Sequence, residues 1–313
     1  MTDFLDDVID GLSHTPKSIP SRYFYDQQGS RLFQAIMKLD EYYLPEAELD
    51  ILSHQSGNIL KTIQLGNREL DIIELGAGDG SKTSIFIKNI AQNDICIKYY
   101  PLDISKDILT VNKALIEKEV PGVDVHPIAG NFFKTLSLVP HNGRMRLILF
   151  MGSNIGNMTN ERINLFLKWI RDHTKLSDVA MIAFDLKKDP VTILNAYNDS
   201  KGITRAFNLN LLHRINRELG GRFDVDQFEH YPVYDPVSGT ASSYLISQKE
   251  QTASILNGDY TFHFEAYETI QTEISRKFTI KNMEELYNLA CFKALSHFTD
   301  SQKLYAISLI SQA

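Results

Sequence analysis

The chain has 313 residues, 43% apolar and 23% charged, with a formal net charge of −7. That is an ordinary globular composition, long enough for one large unit or two interleaved ones. The acidic balance, without a basic cluster, argues against a nucleic-acid partner held through phosphates.

In chain order, Phe4, Leu5, Val8, Ile9 and Leu12 mark a short amphipathic helix, and Pro16 and Pro20 bracket a loop. The first ten residues carry four aspartates and no basic flank, unlike a signal peptide. An aromatic turn follows over Ser21–Ser30, then a helix over Arg31–Lys38. Asp40–Pro45 is expected to break it, with a new helix from about Glu46 to Leu60. Strands are expected at 70–74, 97–102, 123–128, 146–151 and 180–185, with helices at 82–91, 105–119 and 160–174. This alternation predicts a parallel sheet covered on both faces, with ligands beyond the strands' carboxyl ends.

Four of those ends are polar or glycine-rich: Glu74–Gly76, Asp103, Gly130–Asn131 and Gly152–Asn157. After Ile72 and Ile73, Gly76, Gly78 and Gly80 form a turn where a flat ligand can approach the main chain, and Ser81 is expected as the next helix's N-cap. Asp103 can accept from two ribose hydroxyls; the competing reading is a helix cap. Beyond Asp185 alternation stops. Helices at 190–198 and 203–219 and strands at 229–235, 242–249 and 259–267 suggest an inserted lobe, and Leu304–Ile310 a final strand returning to the sheet.

Arg144/Arg146 and Lys187/Lys188 are expected as solvated element ends. Cys96 and Cys291 make no disulfide framework or metal site by spacing, and Cys96, in an apolar run, is expected in the core. No run reaches the about 18 apolar residues of a membrane span. A cytoplasmic monomer with no nucleic-acid or membrane partner is expected.

The spacing Glu-x-Gly-x-Gly-x-Gly from Glu74 resembles the first motif of S-adenosylmethionine-dependent methyltransferases. Further segments narrow this: Pro16–Pro20 through Phe24-Tyr25-Asp26 and Gly29-Ser30; Glu41-Tyr42-Tyr43; Glu74-Leu75-Gly76 through Lys82-Thr83; Gly152–Asn157; and Gln271–Ser275 through Lys277-Phe278. Ala206–Asn210 and Asn216–Leu219 add to them. Over nearly its whole length the chain resembles the bacterial histidine-specific methyltransferases of ergothioneine biosynthesis, which make the Nα-trimethyl betaine of L-histidine.

The resemblance implies an α/β fold: a class I methyltransferase Rossmann-like sheet with an additional α+β substrate-binding lobe. The cofactor domain would be 51–187 plus 278–313, and the substrate lobe 1–50 plus 188–277. S-Adenosylmethionine would be bound by Glu74, Gly76, Gly78, Lys82 and Asp103, with Asn131 and Phe132 facing the adenine. The family usually has Asp where Asn131 stands, but an amide oxygen can still accept from the adenine amino group.

Tyr42, Asn157 and Tyr197 would hold the substrate carboxylate, and Tyr25 and the Gly152 carbonyl would lie near the reacting amine. Glu273 and Ser275, two apart on one strand face, would grip the imidazole. No metal is implied. Each residue has an ordinary alternative: Tyr42 with Tyr43 as a buried pair, Asn157 as a helix cap, Glu273 as a solvated strand residue. Family members commonly place Met where Ser243 stands, which leaves room for another amino acid such as tryptophan. A non-catalytic cofactor-binding protein is the remaining alternative.

Overall fold

The computed structural model describes residues 2–65 and 69–313. Met1 and residues 66–68, which the expected domain ranges include, lie outside the described residues. The chain divides into two compact units, one ending at Tyr43 and resuming over Lys188–Arg276, the other comprising Leu44–Lys187 and Lys277–Ala313.

In the first unit, four strands form a sheet in the order Lys17–Ser18, Thr269–Arg276, Thr240–Ser247, Phe228–Asp235. The first pair is parallel and the others antiparallel. Phe207, Leu211, Leu212 and Ile215 of the helix Ile203–Glu218 join Phe228, Leu245 and Ile270 of the sheet in one core. Those helix positions recur at the three-to-four-residue spacing of one helical face. The strand expected at 259–267 is shorter, Tyr260–Phe264, and pairs with Gln251–Ile255 in a separate hairpin. Lys188, expected in solvent, donates from Nζ to the Tyr43 hydroxyl at 2.6 Å.

The second unit is built on an eight-stranded sheet. Its order is Phe292–Thr299, Tyr305–Gln312, Val179–Asp185, Met145–Phe150, Glu69–Leu75, Cys96–Asp103 and Asp124–Val125, with Ile128–Ala129 also pairing with Cys96–Asp103. Neighbours from Val179–Asp185 to the short strands run parallel, and the last two strands in sequence add antiparallel. Leu70, Ile72, Ile73 and Leu75 are buried without alternation, as in a sheet covered on both faces. The strand expected at 123–128 is two short ones. The helix expected at about Glu46 spans Leu44–Ile63, with Pro45 in its first turn, where a missing N–H costs no intrahelical bond. A division at 50/51 would cut this helix, which belongs whole to the second unit.

In the second unit three further residues differ from expectation. Arg144 is not solvated: its Nε donates to the fully buried Asp71 at 2.5 Å and its Nη1 to Glu69 at 3.0 Å. Arg146 is likewise buried, donating to the His173 carbonyl at 3.1 Å. Cys96 is exposed at its strand's start rather than in the core. No helix among the described residues is long and apolar enough to cross a membrane.

At the end of the strand Val179–Asp185, Asp185 meets the Lys277 ammonium at 2.7 Å, and both side chains are fully buried. The Asp185 amide also donates to the Ser153 hydroxyl at 2.9 Å. A buried carboxylate that loses its cation keeps its desolvation penalty. Lys277→Ala should therefore destabilise the protein by about 3–5 kcal/mol, read as a lower unfolding midpoint in denaturant; an unchanged midpoint would contradict this.

Candidate active site

In the second unit, the strand Glu69–Leu75 runs straight into the glycine turn. The amides of Gly76 and Ala77 both donate to the Leu102 carbonyl, at 2.8 and 3.0 Å, and the Gly78 amide donates to Asp103 Oδ2 at 3.1 Å. The turn is thereby tied to the tip of the neighbouring strand. Gly76 and Gly78 have φ of 74° and 55°, and a Cβ on either would meet nothing within 4 Å. The main chain is open there to a flat ligand. The cap of the following helix is Gly80, at φ 74°, rather than Ser81, which is the first helical residue.

Asp103 is half-buried, and its other oxygen accepts the Ser105 amide at 2.9 Å. The helix cap itself is Ser105, whose hydroxyl accepts from the Ile108 amide. Asp103 thus holds the turn without being the cap. Asn131 caps the short helix Phe132–Thr135, accepting the Phe133 amide at 2.9 Å, which leaves its amide oxygen a second lone pair. Phe132, half-buried, packs edge-on to Phe150.

Glu74 lies beneath the turn, 4% exposed, accepting from the Thr83 hydroxyl at 2.7 Å and from the Tyr99 hydroxyl. Burial pushes its carboxyl up to about 7, opposed by those two donors. Its contribution here is to brace the turn from below.

Lys82 pairs with Glu48, a residue passed over in the sequence reading. Glu48 is 1% exposed, and its Oε1 accepts the Gly152 amide at 2.7 Å and the Tyr305 hydroxyl at 3.1 Å. Its signal was available: Leu44, Ala47, Glu48, Ile51 and Leu52 form one buried helical stripe, and a carboxylate inside such a stripe needs partners. Burial lowers the Lys82 ammonium to about 8, while the Glu48 carboxylate favours its charged form. Gly152, held by that amide bond, is exposed at φ 72°. Asn157 is exposed at the end of the turn Asn154–Asn157, and the next helix is capped by Thr159, so Asn157 does no capping.

In the first unit, Tyr25 and Tyr42 both pack edge-on to Phe33, with ring centroids 5.3 and 6.3 Å away, and Tyr25 also meets Phe207 at 5.7 Å. Tyr197 is buried where the helix Pro190–Ala196 ends. Ser243 is fully buried with its hydroxyl 3.5 Å from Glu273 Oε2. Ser275 is 5% exposed and Glu273 half-buried, so neither stands in bulk solvent. Tyr25 is 49% exposed, yet its phenol is raised above the usual value, first by the protein packed around it, then by the Glu273 carboxylate and Tyr197. The half-open ring tempers the burial effect; the nearness of Glu273 and Tyr197 does not depend on it.

The expected residues thus fall into two sets, one in each unit. Tyr25, Tyr42, Tyr197, Ser243, Glu273 and Ser275 belong to the first unit, and Glu74, Gly76, Gly78, Lys82, Asp103, Asn131, Phe132, Gly152 and Asn157 to the second. The expected catalytic pair, Tyr25 and Gly152, is divided between them.

A parallel sheet with a glycine turn after one strand and an acidic tip on the next, closed by antiparallel strands, defines a class I S-adenosylmethionine-dependent methyltransferase. The model of the family described as histidine-specific methyltransferase, SAM-dependent, matches residues 4–312, and the chain belongs to that family. A histidine N-alpha-methyltransferase of Mycolicibacterium smegmatis is 33% identical over 303 residues, covering 97% of this chain and 93% of its own. One from Mycobacterium tuberculosis is 32% identical over 306 residues, covering 98% and 94%. An L-tryptophan methyltransferase of Psilocybe serbica is 26% identical over 328 residues, covering 96% and 90%.

The raised Glu74 makes a pH prediction. A carboxyl that titrates near 7 folded and at its ordinary 4.5 unfolded holds more protons in the folded state between those values. Its contribution is full below pH 4.5 and is lost as pH rises to 7. The unfolding midpoint of Glu74→Gln should fall less over that window than that of the unaltered protein; parallel curves would contradict the assignment.

Proposed function

We propose that this enzyme trimethylates the α-amino group of L-histidine to its betaine, hercynine. The observation that carries the reading is the cluster in the first unit: the Glu273 carboxylate beside Ser243 and Tyr25, Tyr197 near Tyr25, and Ser275 on the same strand face as Glu273. A half-buried carboxylate suits a ring that donates N–H, and would be left unpaired by a phenyl group. Glu273 would accept one imidazole N–H, and the Ser275 hydroxyl would meet the other ring nitrogen. Tyr42, Tyr197 and Asn157 would hold the substrate carboxylate through hydroxyl and amide donors.

The cofactor of the family is S-adenosylmethionine, and the residues present fit it. The open faces of Gly76 and Gly78 would admit it, Asp103 would accept from its ribose, and Asn131 and Phe132 would meet the adenine. Lys82, held by Glu48, would face its carboxylate. When bound it supplies a methyl group on a sulfonium, which needs no further activation.

What the chain must do is present a neutral amine in line. The α-ammonium of a free amino acid is protonated at neutral pH, so it must give its proton to water before the nitrogen attacks. Tyr25, whose raised phenol stays protonated, would orient the nitrogen rather than act as a phenolate base. The Gly152 carbonyl would accept an amine N–H, its position set through the amide that Glu48 holds. Alignment of this kind is a positioning effect. We assign the enzyme to the cytoplasm, acting as a monomer on a free amino acid.

A second reading, with tryptophan or a related amino acid as substrate, is favoured by the small Ser243 and by the similarity to a tryptophan methyltransferase. Mass spectrometry of each amino acid incubated with enzyme and S-adenosylmethionine separates the two: histidine should gain three methyl groups, and methylation of tryptophan alone would overturn the first. Glu273→Ala should raise the histidine KM about tenfold to a hundredfold, the loss of a hydrogen bond to a charged group; an unchanged KM would remove Glu273 from the site. Glu48→Gln should weaken S-adenosylhomocysteine binding about tenfold, with the loss growing as pH rises toward 8, where the variant's Lys82 gives up its charge before that of the unaltered protein. Calorimetry across pH reads this, and equal affinity at every pH would separate Glu48 from cofactor binding.

A further inference from the structure

The strand Thr269–Arg276 changes register against Thr240–Ser247 between Gln271 and Glu273. Before the change Ile270 opposes Leu245 and Gln271 opposes Tyr244; after it Glu273 opposes Ser243 and Ser275 opposes Ala241. Thr272 is the one extra residue, a β-bulge.

Directly opposed residues in an antiparallel pair share a face, and faces alternate along each strand. Leu245, Ser243 and Ala241 therefore stand on one face. It is the core face, since Leu245 and Ile270 are fully buried with Phe207 and Leu211 of the helix Ile203–Glu218. With unbroken register, Glu273 would oppose Ser242 and Ser275 would oppose Thr240, placing both on the opposite face. The bulge turns this pair onto the side where Ser243 and the helix lie.

Thr272 itself is 1% exposed. Its hydroxyl lies 2.8 Å from Asn208 Oδ1 and 3.1 Å from the Ser243 carbonyl, sharing one proton between two acceptors. Asn208, fully buried on the helix, donates from Nδ2 to the Thr204 carbonyl at 3.1 Å, which fixes the amide with its oxygen toward Thr272. The extra residue is thus fastened both to the neighbouring strand and to the helix.

We propose that Thr272, anchored by Asn208, is a positioning residue that sets the face on which Glu273 and Ser275 stand and so governs recognition of the substrate's ring. The proposal rests on the reading of Glu273 and Ser275 as the ring site. Thr272 and Asn208 are both buried and would act through the bulge rather than by meeting the substrate.

The test compares Thr272→Val, which keeps the shape and removes the hydroxyl, with Thr272→Ser, which keeps the hydroxyl, and with Asn208→Ala. Thr272→Val and Asn208→Ala should raise the histidine KM about tenfold while leaving S-adenosylhomocysteine affinity unchanged, and should narrow the preference for histidine over other aromatic amino acids. Thr272→Ser should restore the histidine KM. A purely structural role would lower the thermal midpoint without this selective change, and that result overturns the proposal. If Thr272→Val does not fold, Asn208→Ala alone decides by the same selective criterion. Glu273→Ala runs beside them. If it raises the histidine KM and the bulge variants do not, only the positioning role falls; if it too has no effect, the ring site itself is wrong.

Discussion

Two amides converge on one carbonyl. Gly76 and Ala77 both donate to Leu102, and Gly78 reaches the Asp103 carboxylate one residue further on. That convergence makes the end of one strand and the turn after another a single rigid piece. It requires the main chain to fold back sharply, which the positive φ of Gly76 and Gly78 permits. It also requires support from below, supplied by Glu74 through Thr83 and Tyr99. A buried carboxyl that titrates near neutrality is an expensive brace, but two hydroxyl donors satisfy it in either protonation state. The open face of the turn is the functional gain from that internal cost.

The second unit repeats the device at Glu48. Its buried carboxylate gathers a lysine, a tyrosine hydroxyl and the Gly152 amide, drawn from segments far apart in sequence. Such a hub fixes a loop more tightly than loop-internal bonds can, because each partner is mounted on a different packed element. In the first unit the fixing agent is neutral. A threonine hydroxyl and an asparagine amide hold the bulge, and they avoid the desolvation penalty of a buried ion.

How much of this the sequence disclosed follows from the range of each interaction. The parallel strands were legible because burial on both faces writes continuous apolar runs, and the turn because glycine spacing is local. Asp103 was found because it ends such a run. Arg144 was misread as solvated because its partner Asp71 lies 73 residues away, beyond any local pattern. Cys96 was misplaced because an apolar run does not say which residue still lies outside the sheet's covered part. The expected break before the helix at about Glu46 is present, but that helix starts at Leu44, because proline in a first helical turn costs no bond. The bulge was invisible. One added residue has no period, and Glu273 and Ser275 share a face whether or not the register slips, so only the pairing partners reveal which face it is.

That distinction bears on which ring the first unit prefers. Ser243 opposes Glu273 directly and offers it a donor at 3.5 Å, a long bond that steadies the carboxylate without saturating it. On the proposed reading, histidine and tryptophan would both bring a ring N–H to such an acceptor, so Glu273 would reject phenyl rings without separating these two. The separation would then fall to Ser275. Imidazole has a second ring nitrogen that a hydroxyl can meet; indole presents carbon there and forfeits that bond, a difference of about 1 kcal/mol or somewhat more. The room left by Ser243 acts the other way, since a larger ring buries more apolar surface at about 25 cal/mol per Å². The balance between one hydrogen bond and some tens of square ångströms is close enough that, on the proposed reading, the orientation of Ser275 at the bulge would decide its sign.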